Sequence, residues 1–429
     1  MKTPLWLSSL SIIMVLGMFS KRCHAQANYT VHEWGTFTSV QGGDGELLEW
    51  RPLQTSELPG FVHDWTKPGL NRFPTGIGKG GLITLQRMET PVIYFYSDEK
   101  MTVDVSVDFP KGVITEWYPQ ASQIGPSLPM ATNPPITPTT LTNSRAVWKN
   151  LEIAPPENLL KRGQLLPQDK SGSHYFAARG TGANLVQMEL PGETNSPVEA
   201  EKFIFYRGAG SFKTPLRVSV NADDDVAVEN SGVEKLSHLF LVSIHNGRGA
   251  FAHMDELPPG NPVSWLNLNA LSAENWQHLP LTQFQNAIGA QMESALTSEG
   301  LFADEARAMI NTWRDSWLAE EGERVLYILP RTWTDEILPM TLNPQPQNLA
   351  RVMVGRAEII TPAAEMNLLQ DLSKAQNGDA NSRHHTIVEL KAFGRFAGPA
   401  LSLVSLHGAS TNTMNLGYQL LSEAVRSKN

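Results

Sequence analysis

Three histidines bracket one apolar segment: His238, His245 and His253 surround Leu239–Ile244, and Asp255 and Glu256 follow closely. Imidazole nitrogens and carboxylate oxygens hold Zn²⁺ or Fe²⁺ where thiolates are lacking. His238, His245, His253 and Asp255 are therefore the candidate metal ligands. Their spacing supports this only in part. His238 and His245, seven positions apart, face opposite sides of a straight strand, so a bend or turn must bring them together. Asn246-Gly247-Arg248-Gly249 supplies a turn just after His245. The simpler reading is polar side chains meeting water at strand ends.

Two further groups carry candidate catalytic residues: His32 and Glu33 near the start, and Arg331 and Asp335 after the segment Val325–Leu329. On a strand His32 and Trp34 share one face and Glu33 takes the other. A buried Glu33 or Glu46 would serve as a general acid or base, and a glycosidase needs two such carboxylates across a cleft. Arg331 would clamp a carboxylate or sulfate through both arms of its fork, or simply pair with Asp335 at the surface. Asp223-Asp224-Asp225, preceded by Asn221, clusters oxygen ligands suited to Ca²⁺. The turn lacks the glycine and distal glutamate of an EF-hand, so an acidic hairpin turn is the simpler reading.

Other motifs fail on context. Gly76-Ile77-Gly78-Lys79-Gly80-Gly81 has no Ser or Thr after the lysine and no strand before it, so it is a loop rather than a phosphate cradle. Ser97-Asp98-Glu99-Lys100 has the spacing of a penicillin-recognising enzyme, but it sits in a polar turn between two strands and no KTG follows. A GxSxG elbow is also missing.

The elements that must position these residues change in texture near residue 265. Residues 28–265 read as an antiparallel, sandwich-like β-region with short strands separated by Asp, Asn and Gly. Val103, Val105, Val107 and Phe109 alternate with Thr102, Asp104, Ser106 and Asp108, the period of a half-buried strand. Nine prolines between Pro119 and Pro167 predict a long extended loop over the sandwich, anchored by Val147, Trp148, Leu151 and Ile153. Residues 266–429 read as a smaller α+β region. Thr282 and Gln285 predict a capped helix start. Phe302, Ala306, Met309, Ile310, Trp313 and Trp317 predict the second arm of a helical hairpin. Strands follow at 324–329 and 351–360, a helix starts at Thr361-Pro362, and further helices cover 386–404 and 412–427.

Composition narrows the function. A short basic start, the apolar run Leu5 to Phe19 and Ala25-Gln26-Ala27 have the layout of a secretory signal over residues 1–27. The expected location is the periplasm or outside the cell, remote from nucleotide pools and chromosomal DNA. The single cysteine, Cys23, lies within that signal, so the mature chain has no disulfide and no thiolate ligand. Losing Lys2, Lys21 and Arg22 takes the formal charge from -9 to -12. That acidity, without a basic cluster, argues against nucleic acid. Of the 11 tryptophans only Trp6 is in the signal, and the remainder would serve as glycan platforms or as core.

The segments His32–Phe37 (HEWGTF), Met88–Val92 (METPV) and Tyr327–Arg331 (YILPR) resemble a family of exported, functionally uncharacterised bacterial proteins. The resemblance implies a bacterial envelope origin and no particular activity. The expectation is therefore an extracytoplasmic binding or scaffold protein for glycan or an envelope partner. The alternative is an extracellular hydrolase or His/carboxylate metalloenzyme with its site between the two regions and Zn²⁺ or Ca²⁺ as the metal.

Overall fold

The computed structural model describes residues 27–53, 58–64, 82–125, 142–155, 166–189, 198–269 and 278–426. The expected signal segment up to residue 26 and the glycine-rich stretch 76–81 lie outside these.

Ten strands form the main sheet, in the order β16 (Leu279–Pro280), β14 (Arg248–Leu257), β13 (Leu236–His245), β17 (Gly322–Leu329), β19 (Pro346–Ile359), β1 (Ala27–Gln41), β3 (Gln86–Tyr96), β10 (Ile204–Gly210), β5 (Gly112–Tyr118) and β2 (His63–Asp64). All neighbours are antiparallel except β1 and β19, which run parallel. A second sheet runs β18 (Met340–Asn343), β4 (Met101–Phe109), β7 (Ser144–Ala154), β8 (Leu185–Glu189) and β9 (Val198–Glu201), with β6 (Gln123–Gly125) on β7. A third contains β11 (Leu216–Val220), β12 (Asp225–Asn230) and β15 (Val263–Asn267).

The main sheet is a buried middle layer. Ile93, Phe95 and Tyr327 on one face share a core with Val105 and Trp148 of the second sheet and Val218 of the third. Trp34, Tyr94, Phe240 and Val354 on the other face pack against helices α1 (Leu281–Ser298) and α2 (Ala303–Leu318). Burial on both faces explains why HEWGTF and METPV lack clean alternation: each polar side chain there must find a partner inside.

The β-rich start and the helical end with some strands agree with the reading from sequence, as does the hairpin. Ala306, Met309, Ile310, Trp313 and Trp317 are all buried on one face of α2. Four corrections follow. The change near residue 265 is not a break in the sheet, because β17 and β19 insert between β13 and β1 and complete its centre. The stretch 119–167 is not all loop, because β7 runs through Ser144–Ala154. Prolines flank that segment but none falls inside it, so its ladder N–H groups are intact. Helix α1 starts two residues earlier than expected, with Pro280 rather than Thr282 at its N-cap and without a side-chain cap. The helix expected over 386–404 is two: α5 (Ala380–Phe393) and α6 (Ala397–Leu406) are separated at Gly394, which has φ +54°.

Two further helices complete the order before α5: the short α3 (Arg331–Ile337) and α4 (Pro362–Gln376), the latter capped by Thr361, whose Oγ1 accepts from Ala364 N at 3.2 Å. Helix α7 (Thr411–Arg426) ends the described chain. Helices α4 to α7 bury Leu368, Leu372, Leu401 and Leu420 against Val40, Leu48 and Trp50, beyond the end of β1. Among the described residues no helix is long and apolar enough to cross a membrane.

Candidate metal centre

The hairpin of β13 and β14 places two of the predicted imidazoles beside the predicted carboxylate. His238 stands between the pairs Ser237–Glu256 and Leu239–Met254, across from Asp255. His253 is opposite Phe240, two positions along on the same face. The ligand atoms of His238, His253 and Asp255 lie within 4.8 Å of one another, the one such cluster among the described residues. The two imidazoles stack with centroids 5.7 Å apart, and Phe240 stacks on His253 at 4.3 Å.

A bulge sets the pose of His238. Against β17 the register slips between Ser237 and Phe240, and His238 takes φ +50° within the slip. Its Nε2 lies 3.2 Å from Ser298 Oγ at the end of α1. The Ser298 hydroxyl proton goes to the Ala295 carbonyl at 2.7 Å, so Oγ accepts from Nε2–H. That leaves the lone pair of His238 on Nδ1, which is buried and has no partner. Burial lowers the pKa of His253; Asp255 opposes this and His238 adds to it. A neutral imidazole is the form that binds metal.

His245 does not join this group. It closes the far end of β13, hydrogen-bonded through Nε2 to Glu323 and 3.8 Å from Glu321. Strand geometry explains the separation: seven residues at about 3.3 Å each carry it roughly 20 Å from His238. Glu256, on the other face of β14 from Asp255, pairs with Lys235 at 2.6 Å. The Asp223–Asp225 turn is an acidic hairpin closed by its own asparagines: Asn221 Oδ1 accepts from the backbone N–H groups of Asp223 and Asp225 at 2.9 Å. Ser97 is in a polar turn, its hydroxyl donating to the Glu99 carbonyl at 2.9 Å.

The predicted catalytic quartet divides between two faces of the sheet. His32 Nδ1 is 2.7 Å from Glu305 Oε2 on α2, and Tyr96 donates to the other Glu305 oxygen at 2.7 Å. Burial, with Glu305 adding, raises the pKa of Tyr96, so it remains a donor. Glu33 points the opposite way and is fully buried. Tyr206 donates to its Oε1 at 2.5 Å and Arg351 Nε to its Oε2 at 2.6 Å. Arg351 Nη1 continues to Asp335 at 2.7 Å, and Asp335 accepts from Arg331 Nε at 2.8 Å. Glu33, Asp335 and Arg331 are thus linked through Arg351, a chain of ion pairs in which both Glu33 oxygens already accept hydrogen bonds, while Arg351 Nη2 is left without a partner among the described residues. His32 is separate from them because adjacent strand residues face opposite sides.

Sequence reasoning passed over a buried band of charge. Arg356 bonds Glu358 and Glu320 at 2.7 and 2.6 Å, and Arg324 bonds Glu358 at 3.2 Å. Arg207 bonds Glu116 at 2.5 Å, and Arg395 reaches from the C-terminal helices to Glu89 at 2.6 Å. The available signal was a charged residue between apolar neighbours in a strand, as in Met88-Glu89 or Gly355-Arg356-Ala357.

The tryptophans do not form a platform among the described residues. Trp34, Trp50, Trp117, Trp148, Trp313 and Trp317 are buried, and Trp265 and Trp333 are partly buried. No protein-family model matches this chain, and no curated protein is found similar to it.

Proposed function

We propose that this is an exported protein that binds one divalent transition metal, with His238, His253 and Asp255 as its ligands. The observation that carries this reading is the convergence of His238, His253 and Asp255, whose ligand atoms lie within 4.8 Å of one another, together with a buried Nδ1 of His238 that has no hydrogen-bond partner among the described residues. Two imidazoles and a carboxylate are a donor set suited to Zn²⁺. Three protein ligands leave a fourth position for water or substrate, the layout of catalytic rather than structural zinc. The export address rests on the N-terminal sequence and on the HEWGTF, METPV and YILPR resemblance.

The test is elemental analysis of the mature chain, purified without a metal-affinity tag. One equivalent of zinc is expected. It is lost in His253→Ala and Asp255→Asn and retained in His245→Ala. A folded wild-type chain that neither carries nor takes up a transition metal would overturn the reading.

A further inference from the structure

Arg87 is a buried cation whose Nε donates no hydrogen bond among the described residues. Its side chain is only 9% exposed. The nearest carboxylate oxygen, Glu89 Oε1, is 3.5 Å from that Nε and already accepts from Arg395 Nη1 at 2.6 Å. Two guanidinium groups therefore converge on one oxygen, and Arg395 holds it. A guanidinium taken out of water normally fills its planar fork with acceptors.

The surroundings repeat the shortage of acceptors. Thr36 pairs with Glu89 and Thr38 with Arg87 across β1 and β3, so these four side chains share one face. Thr38 also pairs with Arg356 on its other side. The hydroxyls of Thr36 and Thr38 are buried without partners, and so is Arg395 Nε. The carboxylates nearby are engaged: Glu116 by Arg207, and Glu358 and Glu320 by Arg356.

Electrostatics points the same way. Burial lowers the pKa of Arg87 to about 10, with Arg207 and Arg395 adding to the effect and Glu89 and Glu116 opposing it. Burial by itself would raise Glu89, but Arg395, Arg87 and Arg356 outweigh it and hold this carboxyl down to about 2. Glu89 is thus ionised, yet at 3.5 Å it leaves Arg87 Nε without a hydrogen bond.

We propose that Arg87, with the hydroxyls of Thr36 and Thr38, binds the anionic oxygens of a small ligand, either an inorganic oxyanion or the carboxylate of an organic molecule. The fork supplies paired donors, the two hydroxyls supply single ones, and Arg395 beside Glu89 sets the rim. This site lies on β1 and β3, apart from the metal ligands on β13 and β14, and it stands or falls independently of them.

Calorimetric titration of the full mature chain with inorganic phosphate, sulfate and acetate tests it. Saturable one-to-one binding of at least one probe is expected. Acetate alone would identify a carboxylate ligand; phosphate or sulfate would identify an inorganic oxyanion. Arg87→Lys keeps the charge but loses the fork, and should bind at least about tenfold more weakly. Thr38→Val, a milder change, should also weaken binding. Arg87→Met should abolish binding while the ligand-free Tm stays level or rises, because an unfilled buried charge has been removed. Failure of all three probes to bind the wild type overturns the proposal. So does binding that survives in Arg87→Lys and Thr38→Val.

Discussion

Arg351 and Glu33 face one another across the parallel strand pair of β1 and β19 and are joined by a 2.6 Å hydrogen bond. The pair ties the first strand of the described chain to the last. Removing one member leaves the other charged inside the protein, which typically costs about 3–5 kcal/mol. Arg351→Met should therefore destabilise the fold by about that amount in urea unfolding, by the same principle. The double variant Glu33→Leu/Arg351→Met should recover much of the loss. A single-variant cost below about 1 kcal/mol would mean that Tyr206 and water satisfy Glu33 unaided.

Ser298 is a positioning residue for the proposed metal site. It accepts from His238 Nε2 and so leaves Nδ1 as the lone-pair nitrogen. Losing such an outer partner typically weakens metal binding about 10- to 100-fold. A chelator competition assay on Ser298→Ala should show a zinc Kd raised within about that range, with little change in the Tm of the metal-free chain. An unchanged Kd would remove Ser298 from the site.

Glu389 gives the C-terminal helices a pH dependence. Burial raises its pKa from 4.5 to about 7, with Asp371 adding and His385 opposing. One of its oxygens is buried without a partner. The folded state then holds this proton more tightly than the unfolded chain, so stability falls as pH rises from 4.5 towards about 7. Glu389→Gln should flatten that part of the stability–pH curve and leave the acid side below pH 4.5 unchanged. A variant curve parallel to wild type throughout would refute the assignment.

Periodicity alone determined the pieces whose environment is one-sided. The stripe Ala306–Trp317 can bury only one face of a helix, and Val103, Val105, Val107 and Phe109 can bury only one face of a strand. The strand character of the His238–His245 segment and the pairing of Arg331 with Asp335 were legible for the same local reason: each depends on residues a few positions apart. A β-rich start followed by helices follows from summing such local signals.

Everything that depends on pairing between distant segments required the tertiary structure. Cross-strand register placed His253 and Asp255 beside His238, while strand length carried His245 away. The bulge between β1 and β3 changes which side chains face α2: Val92 and Tyr94 lie on that face, and so, beyond the slip at Thr90 and Pro91, do Glu89 and Arg87. Gly35 permits that slip, because a Cβ there would lie 2.9 Å from Pro91 Cα. One extra residue in a ladder reverses the inward and outward assignment of all that follow. No period read along the chain contains that reversal, and the buried charge at Arg87 therefore came from the fold.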